Sequence, residues 1–108
     1  MLQALDKTVE LHTESDGSVV VRPHGRMGDD SAVQFQQVLV HAVRRVRPLR
    51  LVLDLGDVSA MDPINVGTVA ALCDLADDHH VAVFVKNSPA GIAHRLQAAG
   101  VPPGRITA

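Results

Sequence analysis

Two periods of apolar residues alternate along this chain. Near the start, Val9 and Leu11 alternate with Glu10 and His12, the two-residue period of a strand with one wet face. Thr8 to Thr13 is therefore expected as an edge strand. After a polar turn containing Asp16-Gly17, Ser18 to Arg22 predicts the second arm of an antiparallel hairpin that Pro23 ends. The stretch from His24 to Ser31 reads as flexible. From Ala32 to Arg47 the period becomes helical, with Phe35, Val38, Leu39, Ala42, Val43 and Val46 on one face. Arg44, Arg45 and Arg47 crowd its last turn, where cations suit the helix dipole, and Pro48 stops it. Stabilisation of the helix end and a basic patch for a partner are both open readings of that cluster. Arg50 to Leu55 is a short, nearly continuous apolar run, the pattern of a strand buried on both faces.

Asp62-Pro63 then starts a second helix. An aspartate at the N-cap position accepts backbone N–H bonds, and the proline lacks an N–H that would be orphaned there anyway. The helix is expected to run to about Asp78, with Val66, Val69, Leu72, Cys73, Leu75 and Ala76 turned inward. Its outer arc carries Gly67, Ala70, Ala71, Asp74 and Asp78. Such small residues suit close approach by a partner backbone, although alanine also favours exposed helix for its own sake. Val81 to Val85 predicts another buried strand. Ser88-Pro89 repeats the cap-then-proline signal before a short helix marked by Ile92, Leu96 and Ala99, with Gly100 after its end. Arg105 to Thr107 is a candidate terminal edge strand. The order β-β-α-β-α-β-α predicts an α/β domain: a mixed four- to five-stranded sheet flanked by three or more helices. The loop from Gly56 to Asp62 lies at the carboxyl edge of a strand, where open α/β sheets place binding sites.

The chain of 108 residues fits one domain with a real core. No apolar run approaches the roughly 20 residues that span a bilayer. Asp6 and Glu10 interrupt the first ten residues, which argues against a secretory leader and for a soluble cytoplasmic protein. The single cysteine, Cys73, has no internal disulfide partner and is expected as a packed thiol. A net charge of −2, with Phe35 and Phe84 the only aromatics, argues against nucleic-acid binding.

Candidate chemistry is sparse. Six histidines are scattered without zinc-ligand spacing, and the adjacent His79 and His80 sit where a helix end favours a capping role. The glycines near Gly25 and Gly28 lack the spacing of a phosphate-binding loop, and no serine has the context of a nucleophile elbow. Asp54, Asp57 and Asp62 cluster at a strand end; shaping the loop is the favoured role over Mg²⁺ binding. Neither an enzyme, a metal site nor a cofactor is expected.

Leu51-Val-Leu-Asp-Leu55, Val58-Ser-Ala-Met-Asp62, the helix beginning at Pro63, and Ala98-Ala-Gly-Val101 together resemble the STAS domain, named for sulfate transporters and anti-sigma factor antagonists. Bacterial antagonists of this kind carry Asp-Ser-Ser-Gly or Asp-Ser-Thr-Gly where the second helix opens. The resemblance implies that Asp62 takes the aspartate position, Pro63 the first serine, Ile64 the phosphoacceptor and Asn65 the glycine, with Val66 and Gly67 following. It matches Gly25-Arg-Met-Gly28 to a Gly-Glu-Leu-Asp loop whose aspartate is replaced here by Gly28, with Asp29 and Asp30 after it. The resemblance implies a non-enzymatic binding module of bacterial regulation whose phosphorylation switch is absent. Its partner would be an anti-sigma factor or GHKL-type kinase, with self-association also open, and with no nucleic acid and no membrane insertion. A subunit of a transport complex or signalling scaffold is the alternative. The expected docking surface is Met61, Asp62, Pro63, Ile64, Asn65, Gly67, Ala70, Ala71 and Asp74.

Overall fold

Strands β1 (Val9–Thr13) and β2 (Val19–Pro23) form the expected hairpin, antiparallel with Leu11 opposite Val21. The computed structural model describes residues 9–107. Thr8, and the Asp6 that argues against a leader, lie outside the described residues. Asp16 closes the hairpin turn by accepting the Ser18 N–H at 2.9 Å. Strands β4 (Arg50–Asp54) and β6 (Ala82–Lys86) extend the sheet in the order β1-β2-β4-β6, both parallel to their inner neighbours. Among the described residues the mixed sheet of the sequence reading is thus four strands wide, with β1 at its edge.

Odd-numbered strand positions feed one core. Val19, Val21, Leu51, Leu53, Val83 and Val85 are buried against helices α1 (Ala32–His41), α2 (Pro63–Asp78) and α3 (Ala90–Ala98). Each such side chain contributes about 1.5–3 kcal/mol when taken fully from water. Phe35 and Leu39 of α1, Val69 and Leu72 of α2, and Ile92 and Leu96 of α3 complete the layer. β4 is buried along Leu51, Val52 and Leu53, on both faces as its apolar run predicts, although the two faces are covered differently. Even-numbered positions point to a face whose cleft is lined by strand and loop residues alone, with Val20, Val52 and Phe84 between charged neighbours. Among the described residues no helix is long and apolar enough to cross a membrane.

Two further strands were not foreseen. β3 (Gly25–Met27) and β5 (Val58–Met61) pair in parallel as a separate two-stranded sheet, with Met27 opposite Met61. They occupy stretches that read as a flexible segment and a loop. Strands of three and four residues are too short to show a period.

Helix α1 does not keep α-geometry to Arg47. Ala42–Val46 is a π-helical segment, closed by the Arg47 N–H to the Ala42 carbonyl at 2.9 Å. The wider turn carries Val46 off the buried stripe on which the sequence places it, leaving it 44% exposed. Helices α2 and α3 both stop as expected. Gly100 has φ +112, and Val101 donates to the Leu96 carbonyl at 3.0 Å, the backbone closure of a Schellman end. The expected terminal strand reduces to one parallel bridge between Val85 and Ile106.

Candidate functional site

The small β3/β5 sheet sets the position of the α2 N-terminus. Gly25 donates its N–H to Asp57 O at 2.8 Å at one end, and Asp62 donates to Met27 O at 2.8 Å at the other. The chain therefore leaves β5 at a fixed point. Asp62 is extended, with φ −70 and ψ 155, and its carbonyl accepts from Asn65 and Val66 N–H groups at 3.0 and 3.2 Å. Its carboxylate does not make the expected cap bond. Oδ1 instead accepts from Arg26 Nη2 at 3.1 Å, a charge-assisted bond from the neighbouring strand β3. The negative charge still lies at the positive end of α2, where it is favourable.

Two residues of the expected docking surface face the interior, which corrects that part of the reading. Met61 is buried because it ends a strand whose side chain enters the core. Asn65 is fully buried, and its Nδ2 donates to the Met27 and Gly28 carbonyls at 2.8 and 3.0 Å, tying α2 to the end of β3. Asn65 lies four residues before Val69 and seven before Leu72, on the inward stripe of the helix. That spacing was visible in the sequence.

The remaining residues of the expected surface lie at or near solvent. Pro63, Ile64, Gly67, Ala71 and Asp74 are exposed, while Asp62 and Ala70 are partly buried. Ile64, at 54% exposure, heads a groove of about 420 Å³ between α1 and α2. Gln36 and Val40 of α1, with Arg44 of the π-helical segment, form one wall; Gly67, Ala71 and Leu75 contribute from α2. A Cβ at Gly67 would meet nothing within 4 Å, so the small residues leave open space. The sequence reading missed the α1 wall, and it also missed Arg95, whose Nη1 donates to the Met61 carbonyl at 2.6 Å and ties α3 to the same corner.

No hydroxyl stands at the helix start. Pro63 and Ile64 carry none, and the Thr68 hydroxyl one turn on donates to the Ile64 carbonyl at 3.1 Å. A Cβ at Gly28 would lie 3.2 Å from Asp30 Oδ1, 3.5 Å from Asp62 Oδ2 and 3.6 Å from Arg26 Nε. The position where the family resemblance puts an aspartate thus borders the Asp30 carboxylate most closely, with the Arg26–Asp62 pair at ordinary contact distance.

The three clustered aspartates each have separate partners. Asp54 accepts from Arg22 Nε at 3.2 Å, from the Gly56 N–H at 2.9 Å and from Asn87 Nδ2 at 3.2 Å. Partial burial pushes its carboxyl up, but the Gly56 N–H, the Asn87 amide and the Arg22 guanidinium outweigh that and hold it below its ordinary value. Asp57 pairs with His24 Nδ1 at 2.8 Å, and the other ring nitrogen of His24 meets Glu10. Among the described residues no group of three His, Cys, Asp or Glu side chains is placed to hold a metal ion. At the other end of α2, His79 Nδ1 lies 2.9 Å from the Leu75 carbonyl, a capping contact.

Solved structures similar to this one come from regulators and transporters. The anti-sigma factor antagonist SpoIIAA in its unphosphorylated form superposes with a TM-score of 0.72 at 17% identity, over 82% of this chain and 81% of that one. A serine-to-glutamate variant of RsbS from Moorella thermoacetica gives 0.76 at 23% identity, over 93% and 85%. The STAS domain of a SulP transporter from Vibrio cholerae gives 0.60 at 19% identity, over 81% and 70%. No curated protein sequence matches the chain significantly. The STAS sequence model matches residues 11–103, nearly the whole of the fold described above, and the chain belongs to the STAS domain family.

Proposed function

We propose that this protein is a non-enzymatic interaction module of bacterial regulation, an anti-sigma factor antagonist-like protein of the cytoplasm that binds its partner without a phosphorylation switch. Its partner is an anti-sigma factor or a GHKL-type kinase. The observation that carries this reading is the exposed Ile64 at the head of the α1–α2 groove, in the position where the family's antagonists carry a phosphoacceptor. Hydrocarbon there accepts no phosphoryl group, and an apolar knob beside a groove of small side chains suits burial in a partner pocket. Full burial of such a side chain is worth about 1.5–3 kcal/mol. The docking surface comprises Asp62, Pro63, Ile64, Gly67, Ala71 and Asp74, with Gln36, Val40 and Arg44 facing them.

The likeness to the SulP domain favours a second reading, a subunit of a transport complex or signalling scaffold that uses the same surface. Affinity capture with the tagged protein separates the two: a sigma regulator or kinase supports the first, a transport subunit the second. With the captured partner, Ala71→Arg is expected to weaken binding by tenfold or more, roughly the loss of one well-packed contact, while the thermal midpoint stays unchanged. Incubation with the kinase and ATP, read by intact mass, is expected to leave the protein unmodified. A stoichiometric phosphate that weakens binding would sink the constitutive reading, and unchanged affinity of Ala71→Arg would move the interface off this groove.

A further inference from the structure

The edge strand β1 is self-complementary, and we infer that two copies of this chain pair through it, antiparallel about Leu11, into one continuous sheet. The direction of its backbone groups comes from the hairpin. Glu14 donates to the Ser18 carbonyl at 2.7 Å, in the register that sets Leu11 opposite Val21 and Val9 opposite Pro23. In an antiparallel ladder bonded and non-bonded pairs alternate. The even-numbered residues of β1 therefore bond to β2, and Val9, Leu11 and Thr13 aim their N–H and C=O groups outward. The lack of an N–H on Pro23, opposite Val9, fits that phase.

The side chains select both partner and register. When Leu11 of one copy faces Leu11 of the other, Glu10 lies opposite the partner's His12, and Val9 opposite the partner's Thr13. A carboxylate and an imidazole, acceptor and donor, thus meet twice, in non-hydrogen-bonded pairs where side chains approach most closely. A slip of two residues in either direction sets Glu10 against Glu10 or His12 against His12. In the single chain His12 pairs with Glu14 at 3.1 Å and Glu10 contacts His24, and in the pair both groups exchange these partners for one another across the axis. Beneath β1, Leu11 is 40% exposed over a groove of about 610 Å³ whose other wall is Gln34, Val38 and His41 of α1. In the pair the two Leu11 side chains meet on the symmetry axis in that groove. Such a two-fold contact closes on itself and removes an exposed sheet edge. It uses the flank of α1 opposite to Gln36, Val40 and Arg44, so the proposed partner groove stays open in both copies.

Sedimentation velocity of the full chain over a range of concentrations tests this. A reversible monomer–dimer equilibrium is expected, with amide exchange at Leu11 and Thr13 slowing as concentration rises and exchange at His12 unchanged. His12→Glu is expected to weaken the dimer about tenfold by placing like charges opposite each other at two symmetric sites, and adding Glu10→Lys should restore it. Leu11→Lys should give monomer with an unchanged far-ultraviolet circular dichroism spectrum. A monomer at all concentrations overturns the inference, including one whose β1 amides become protected only when another protein's segment is added. So does a dimer in which the Leu11 and Thr13 amides exchange freely.

Discussion

Asp54 ends β4 on the open face of the sheet, where its carboxylate joins three elements through Arg22, Gly56 and Asn87. Because its folded-state pKa is lowered, its stabilising effect is present above the unfolded value of about 3.9 and is lost as pH falls through the folded value. Asp54→Ala is expected to cost about 2 kcal/mol at pH 7, from urea unfolding, and the gap from the parent should close as the pH falls below about 4. A gap independent of pH would assign the cost to packing. The sequence made this role legible, since a loop-shaping aspartate after an apolar strand is a local pattern. The helical spacing of Asn65 to Val69 and Leu72 was legible as well, but the partners of its amide were not. A polar side chain next to a helix start reads as surface, yet one residue of helix turns the chain through about 100°, so Ile64 meets solvent while Asn65 enters the core. Its Nδ2 finds two carbonyls there because β3 ends beside it, and β3 is contributed by a segment far away in sequence.

At the scale of elements, the ends of helices followed from local chemistry better than their interiors did. Gly100 ends α3 as its sequence predicts, but α2 closes in the same way on a non-glycine residue. His80 has φ +61, and Val81 donates to the Ala76 carbonyl at 2.9 Å. A side chain with a Cβ is strained in that left-handed conformation, and glycine is not. His80→Gly is expected to raise stability by about 0.5–1 kcal/mol, measured by the denaturant midpoint. A lower midpoint would show that the imidazole contributes more than the strain costs. The π-helical turn at Ala42–Val46 has no such local signature. Its residues read as uninterrupted α-helix, and only the fit of α1 against the sheet separates Val43, fully buried, from Val46 at the surface.

For the whole molecule, the core is a single layer between one sheet face and three helices, and Cys73 reports on it. Burial pushes its thiol up, Asp77 and Asp74 add to that, and Arg105 only partly opposes them. A thiol reagent at neutral pH is expected to label Cys73 only through unfolding, so the labelling rate should rise with urea in parallel with the unfolding rate. Labelling of the native protein as fast as of the unfolded chain would contradict this placement. The sequence by itself determined the hairpin, the three helices and the outward direction of Ile64, because periodicity, caps and prolines act over a few residues. Only the tertiary structure decided that β3 and β5 pair, that Arg26 takes the Asp62 carboxylate, and that α1 supplies the second wall of the groove. Each of these joins residues separated by twenty or more positions, a distance over which no local pattern carries information and where long-range packing alone selects the contact.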